Sequence, residues 1–154
     1  MCRLLTLSIL SLLCQIGSTA ADDAKKLSPK EKVLAQLQGR WELQWMEREE
    51  KRQESDGTAV VTIKGDRWMF GKREIGVIEI DPSTNPMVID IRVKKDLAEA
   101  DKGQTLEGIF KLDGDRLTIC FSRSRGEAGK ERPTAFSTKG NARMVLQEFK
   151  RVKP

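Results

Sequence analysis

From residue 39 onward, apolar and polar side chains alternate in short runs, the period of a strand with one face in a core and the other in water. Residues 40–46 put Trp41, Leu43 and Trp45 on one face. Residues 58–63 are β-branched and alternate, and Lys64-Gly65-Asp66 turns them into 67–70. Gly71-Lys72 leads into 74–80, and 81–86 (Asp-Pro-Ser-Thr-Asn-Pro) reads as a loop. Residues 87–93 set Met87, Ile89, Ile91 and Val93 against Val88, Asp90 and Arg92. Residues 105–112 align Leu106, Gly108, Phe110 and Leu112, Asp113-Gly114-Asp115 makes a tight hairpin into 117–121, and 143–151 is the last run. The pattern predicts an all-β fold: an eight-stranded antiparallel up-and-down barrel, whose closure would remove the exposed strand edges. A two-sheet sandwich is the structural rival.

One short helix precedes the strands. Ser28 can cap it, Pro29 suits the first helical position, and Glu31 completes a capping box. Val33, Leu34 and Leu37 give it an apolar stripe, and Gly39 is expected to end it in a left-handed conformation. The helix is expected to plug or flank one end of the barrel. Three connections exceed hairpin length: 47–57, densely charged; 94–103; and 122–140, which carries Arg123, Arg125, Lys130 and Arg132.

The start of the chain places this domain. Residues 1–20 have the three parts of a secretory signal: Arg3, an apolar stretch over 4–16, and Ser18-Thr19-Ala20 as the cleavage site. The apolar stretch is too short to span a bilayer. The expected organisation is a signal peptide (1–20), a flexible leader (21–27) and one lipocalin-like barrel domain (28–154), secreted or periplasmic, with no membrane span in the mature chain. The bulky Leu13 before Cys14 argues against a lipid anchor. Cys2 and Cys14 leave with the leader, so Cys120 stands alone, without an internal disulfide and with a packing role as its expectation.

Composition then narrows the chemistry. The net charge of +5 is spread among mixed signs, and no basic face is interleaved with stacking aromatics, so a nucleic-acid partner is not expected. The chain has no histidine and no tyrosine, which removes Ser-His-Asp and Cys-His catalysis, His-ligated haem and ordinary His-based zinc sites. A catalyst here would be limited to carboxylates, lysine or the one thiol. The pairs Glu79 with Asp90 and Glu107 with Asp113 read as solvated strand faces, and Asp113-Gly114-Asp115 lacks the further ligands of a calcium loop. The expectation is a protein that is not an enzyme and takes no cofactor and no metal.

Gly39-Arg40-Trp41 at the head of the first of eight strands resembles the opening signature of lipocalins and the wider calycin group. The resemblance implies that Trp41 closes one end of the barrel and that a basic residue of the last strand, Arg151 or alternatively Lys150, packs across its ring. The Thr-Asp-x-x-Tyr element of the core lipocalins is missing. A wider resemblance runs through Leu37-Gln38-Gly39-Arg40-Trp41, Asp81-Pro82 to Ile89-Asp90-Ile91, and Gly108-Ile109-Phe110 with Leu112-Asp113-Gly114-Asp115-Arg116-Leu117. It ends with Ile119-Cys120-Phe121 and Glu131-Arg132-Pro133-Thr134-Ala135-Phe136. This ordered set resembles an uncharacterised domain family of secreted planctomycete proteins. It implies a lipocalin-like barrel and an extracytoplasmic location, and it carries no established activity.

Two constellations are candidates for function. Trp45, Phe110, Leu112 and Leu146, with Trp41 and Leu43, would line a cavity or simply fill the core. In Arg132-Pro133-Thr134-x-Phe136, Pro133 holds Arg132 extended and Phe136 would anchor the loop. Arg132 would then pair with Asp90 or Glu107, or capture an anionic ligand with Arg123 or Arg125. The expected function is a non-catalytic exported domain that binds a small, partly apolar ligand entering beside 47–57. The alternative is a cell-envelope protein-interaction or inhibitor module working through 47–57 and 122–140.

Overall fold

The alternating runs form strands that close on themselves. The structure, a computed structural model, describes residues 26–94, 104–123 and 131–153. It contains a helix α1 (Pro29–Leu37) and strands β1 (Gly39–Arg48), β2 (Lys51–Glu54), β3 (Val60–Lys64), β4 (Arg67–Phe70), β5 (Arg73–Asp81), β6 (Met87–Val93), β7 (Thr105–Asp113), β8 (Arg116–Ser122) and β9 (Met144–Arg151). All pairings are antiparallel, and β9 returns to β1, with Trp41 opposite Arg151 and Leu43 opposite Phe149. Closure excludes the sandwich. The ring is an eight-stranded, lipocalin-like barrel of β1 and β3 to β9, with β2 as an extra strand.

The strand β2 corrects the expected loop over 47–57. It pairs with β1 from Trp45 to Arg48, whereas β3 pairs with the same edge from Gly39 to Glu42. The two are one strand position, interrupted. The turn between β1 and β2 is Glu49-Glu50, with φ of +50° and +60°. Hairpin turns of that sign normally use Asn or Gly, so no turn signal marks the site in the sequence. Thr138, 1% exposed, braces it. The Glu50 backbone N–H donates to Thr138 Oγ1 at 2.9 Å, and that hydroxyl donates to Glu47 Oε1 at 2.6 Å.

The helix begins as expected, with Ser28 and Glu31 forming both arms of the capping box. Its end differs. Gln38 is the C-terminal cap, and Gly39, with φ of +116°, instead opens β1. A Cβ on Gly39 would lie 3.3 Å from Arg151 Nη1, so the position needs glycine for its dihedral and leaves little room beside the arginine.

Inward-facing residues make one continuous cluster that includes Leu37, Trp41, Ile63, Trp68, Phe110 and Phe149. Each of these is at most 7% exposed. A second cluster of Ile109, Cys120, Met144 and Leu146 lies on the outer face of the wall, with Trp45 and Phe136 packed against it. Two of the four cavity candidates are therefore on the wrong side. Trp45 is turned outward by a bulge in β1 between Leu43 and Trp45, which shifts alternation by one residue. Leu146 faces outward because it pairs with Cys120, whereas its neighbour Val145 pairs with inward-facing Phe121. Phe110 and Leu112 do face inward.

Candidate functional site

The end of the barrel beneath the helix is sealed by groups that satisfy the last helical carbonyls. Those carbonyls have no partner within the helix, and burying them unpaired would be costly. The Trp41 indole Nε1 donates to Leu37 O at 2.8 Å. Arg151 donates to Gln38 O at 2.7 Å through Nη1 and to Gln36 O at 2.5 Å through Nη2. The Gln38 amide reaches Leu34 O at 2.8 Å and also ties down the Gly65 turn. The Arg151 guanidinium lies 4.1 Å from the centroid of the Trp41 ring, so Arg151, not Lys150, is the basic partner. A cation at a helix C-terminus also suits the helix dipole. Trp41 is fully buried, and this end is a structural plug.

On the outer wall, residues 131–138 form a strap. Arg132 grips Asp90 with both arms of its guanidinium, at 2.6 and 3.1 Å, and donates to Gly108 O at 2.8 Å. Asp90 is thus the partner chosen from the two candidates. The hydrogen bond to Asp90 raises the Arg132 pKa above its ordinary value, and the charge is spent on this pair. At Gly108 a Cβ would sit 2.8 Å from Cys120 O and 3.2 Å from Ile89 O, so the two neighbouring strands require glycine there. Pro133 is buried, and Phe136 packs on the outer cluster with Lys111 Nζ 5.2 Å from its ring centroid. Cys120 lies beneath the strap, fully buried, its Sγ 3.9 Å from Ser137 O. Burial pushes its thiol pKa up, away from the thiolate a reactive cysteine needs.

The carboxylates considered for acid–base chemistry are engaged elsewhere. Glu79 pairs with Arg92 at 2.5 Å, and Asp90 with Arg132. Glu107 and Asp113 sit at opposite ends of β7, opposite Asp90 and Arg116 respectively. Among the described residues no group of three or more His, Cys, Asp or Glu is placed to hold a metal ion, and no helix is long and apolar enough to cross a membrane.

Among the described residues, the opposite end carries no such plug. Phe70 shares the inward face of β4 with Trp68, yet it is 51% exposed because it sits on the last residue of that strand. Ile75, Leu106 and Phe121 are half-buried and pack down onto the inner cluster. Met46, opposite inward-facing Gln147, faces inward as well. Among the described residues these side chains stand at the end of the barrel away from the helix, above the buried inner cluster. Phe70 carries no distinguishing signal in the sequence beyond its place two residues after Trp68. Arg123 does not join Arg132; it lines a depression with Arg48 and Arg143. Arg125 lies outside the described residues, as do the signal peptide and most of the leader. Comparison of the chain with protein-family models, with curated proteins and with solved structures finds no match.

Proposed function

We propose that this protein is a non-catalytic exported binding domain and that a small, partly apolar ligand seats on its open rim. The observation that carries this reading is the contrast between the two ends. One is plugged by a fully buried Trp41, whereas the other presents Phe70 half-exposed on the inward face. Large side chains through the middle, Phe110 and Phe149 at 0% and 2% exposure, leave the rim rather than a deep calyx as the seat. Burying a phenylalanine side chain contributes roughly 1.5–3 kcal/mol, so covering Phe70 alone offers a ligand a useful fraction of micromolar affinity. The resemblance of the motifs to those of secreted planctomycete domains, and the leader-like residues 1–20, support work outside the cytoplasm.

Native mass spectrometry of the protein purified gently from its own envelope tests this. A reproducible small-molecule mass, lost on denaturation and absent from Phe70→Ser, is the expected result. A bare protein mass in both would overturn it. The filled interior favours a second reading, a protein-interaction module that uses the same rim and the β1–β2 hairpin. A co-purifying protein mass released by Phe70→Ser would establish that reading instead.

A further inference from the structure

The ring of β1 and β3 to β9 closes, but β2 stands outside it and keeps a strand edge of its own. One side of β2 pairs with β1, from Arg48 opposite Lys51 to Trp45 opposite Glu54. The ladder runs on to Ser55, whose N–H donates to Gln44 O at 2.8 Å. Ladder bonds of an antiparallel pair fall on alternate residues. Ser55, Gln53 and Lys51 therefore turn their main-chain groups toward β1, and Arg52 and Glu54 turn theirs away from it. Among the described residues no strand pairs with that second side, and β2 is exposed throughout. An unpaired edge of this kind is a template for another strand. The side chains of Arg52 and Glu54 share the outer face with Trp45, each opposite a residue of β1 on that face. Arg52 Nε donates to Glu54 Oε1 at 2.7 Å, and the guanidinium lies 4.2 Å from the centroid of the Trp45 ring. The edge thus carries one cation and one anion, two residues apart and held in place.

We propose that two copies of this chain pair through β2, antiparallel about a two-fold axis at Gln53, so that the two hairpins form one continuous sheet. The charges select that register. Antiparallel strands related by a two-fold axis present the same face of the sheet, so outer-face residues meet outer-face residues. With the axis at Gln53, Arg52 stands opposite Glu54 of the second copy and Glu54 opposite its Arg52. Both are the residues whose main-chain groups point outward, so each such pair exchanges N–H···O bonds and sets opposite charges side by side. An axis at Arg52 or at Glu54 would instead oppose two like charges, which is destabilising. The contact is small, so the association is weak and depends on concentration. It needs no ligand and stands apart from the rim reading.

Sedimentation equilibrium of the protein purified from its own envelope, over a range of concentrations, tests this. A monomer–dimer equilibrium is expected. Glu54→Arg should weaken the dimer about tenfold, taking roughly threefold for each of the two exposed charge pairs. The exchange Arg52→Glu/Glu54→Arg restores opposite charges across the axis and should bring the dimer back to within about threefold of the parent. Glu54→Pro deletes an outward N–H that the ladder to β1 does not use, and should leave a monomer. A cooperative thermal transition near that of the parent shows that each variant is folded. A monomer at every concentration up to about 1 mM overturns the proposal. So does a dimer that survives both Glu54→Arg and Glu54→Pro, because its contact then lies elsewhere. Failure of the charge exchange to restore association overturns the register at Gln53. A monomer that instead holds a different protein, released by Glu54→Pro, overturns a second copy as the occupant of the edge.

Discussion

Replacing Arg151 with methionine isolates the work of its guanidinium, because methionine keeps most of the stem that packs on Trp41. Four contacts are lost. The charged hydrogen bond to Gln38 O, at 2.7 Å and partly buried, is worth about 1.5 kcal/mol. The bond to Gln36 O is exposed, water replaces it, and its loss costs about 0.5 kcal/mol. The contact over the Trp41 ring at 4.1 Å contributes about 0.5–1 kcal/mol. The 3.4 Å pair with Asp115, itself 46% exposed, adds little. The sum is about 3 kcal/mol, which in a domain of this size lowers Tm by about 10 °C. Urea unfolding followed by tryptophan fluorescence measures it, since Trp41 sits at the plug. Lys150→Met is the control: its side chain leaves the same strand toward solvent and should change stability by less than about 0.5 kcal/mol. A loss below about 1 kcal/mol for Arg151→Met, or one matched by Lys150→Met, would refute the account of the plug.

The strap and the wall give three further expectations. Gly108→Ala should cost about 2 kcal/mol or more, because backbone oxygens at 2.8 and 3.2 Å leave no room for a Cβ. Gly114→Ala, with nothing within 4 Å and only a positive φ to strain, should cost about 1 kcal/mol; thermal melts that rank them in the opposite order would reject this. Cys120 should label slowly with a disulfide reagent in the folded protein, and Arg132→Met, by releasing the grip on Asp90, should speed labelling about tenfold. Identical rates would show that the strap opens without breaking that pair. Burial raises the Cys120 pKa in the folded state, so the unfolded thiol ionises first, at about 8.5. Stability should be unaffected by this group below that pH and fall as pH rises from there toward the higher folded value. Unfolding curves from pH 7 to 10 should lose that slope in Cys120→Ala.

The barrel was legible because alternation, turns and the capping box all speak locally. Ser28 and Glu31 announce α1, and the Asp113-Gly114-Asp115 hairpin fixes β7 against β8. That Arg132 would pair with a carboxylate also followed from the proline beside it, although the choice of Asp90 over Glu107 did not. Three things did not. Glu49-Glu50 makes a turn with residues that do not favour it, held by Thr138 from far along the chain. The bulge at Leu43–Trp45 moves Trp45 to the outside with no glycine to mark it. In β9 both faces are apolar, since the strap covers the outer one, so Leu146 looked as internal as Val145. That end of the barrel was hidden for a related reason: Phe70, Ile75, Leu106 and Phe121 lie on different strands, and only the register assembles them.

The contact between Arg151 and Gln38 joins positions 113 apart in the chain. Every other strand of the ring pairs with a sequence neighbour as it emerges, so the sheet can grow in order from β3 to β9. Its seam cannot. Until β9 has been made, β1 has an open edge, and the helix lacks the Arg151 contacts that fix its end. Long-range closure of this kind is slow and leaves hydrophobic surface exposed meanwhile. With its lock in β9, the ring stays open for as long as that strand is missing.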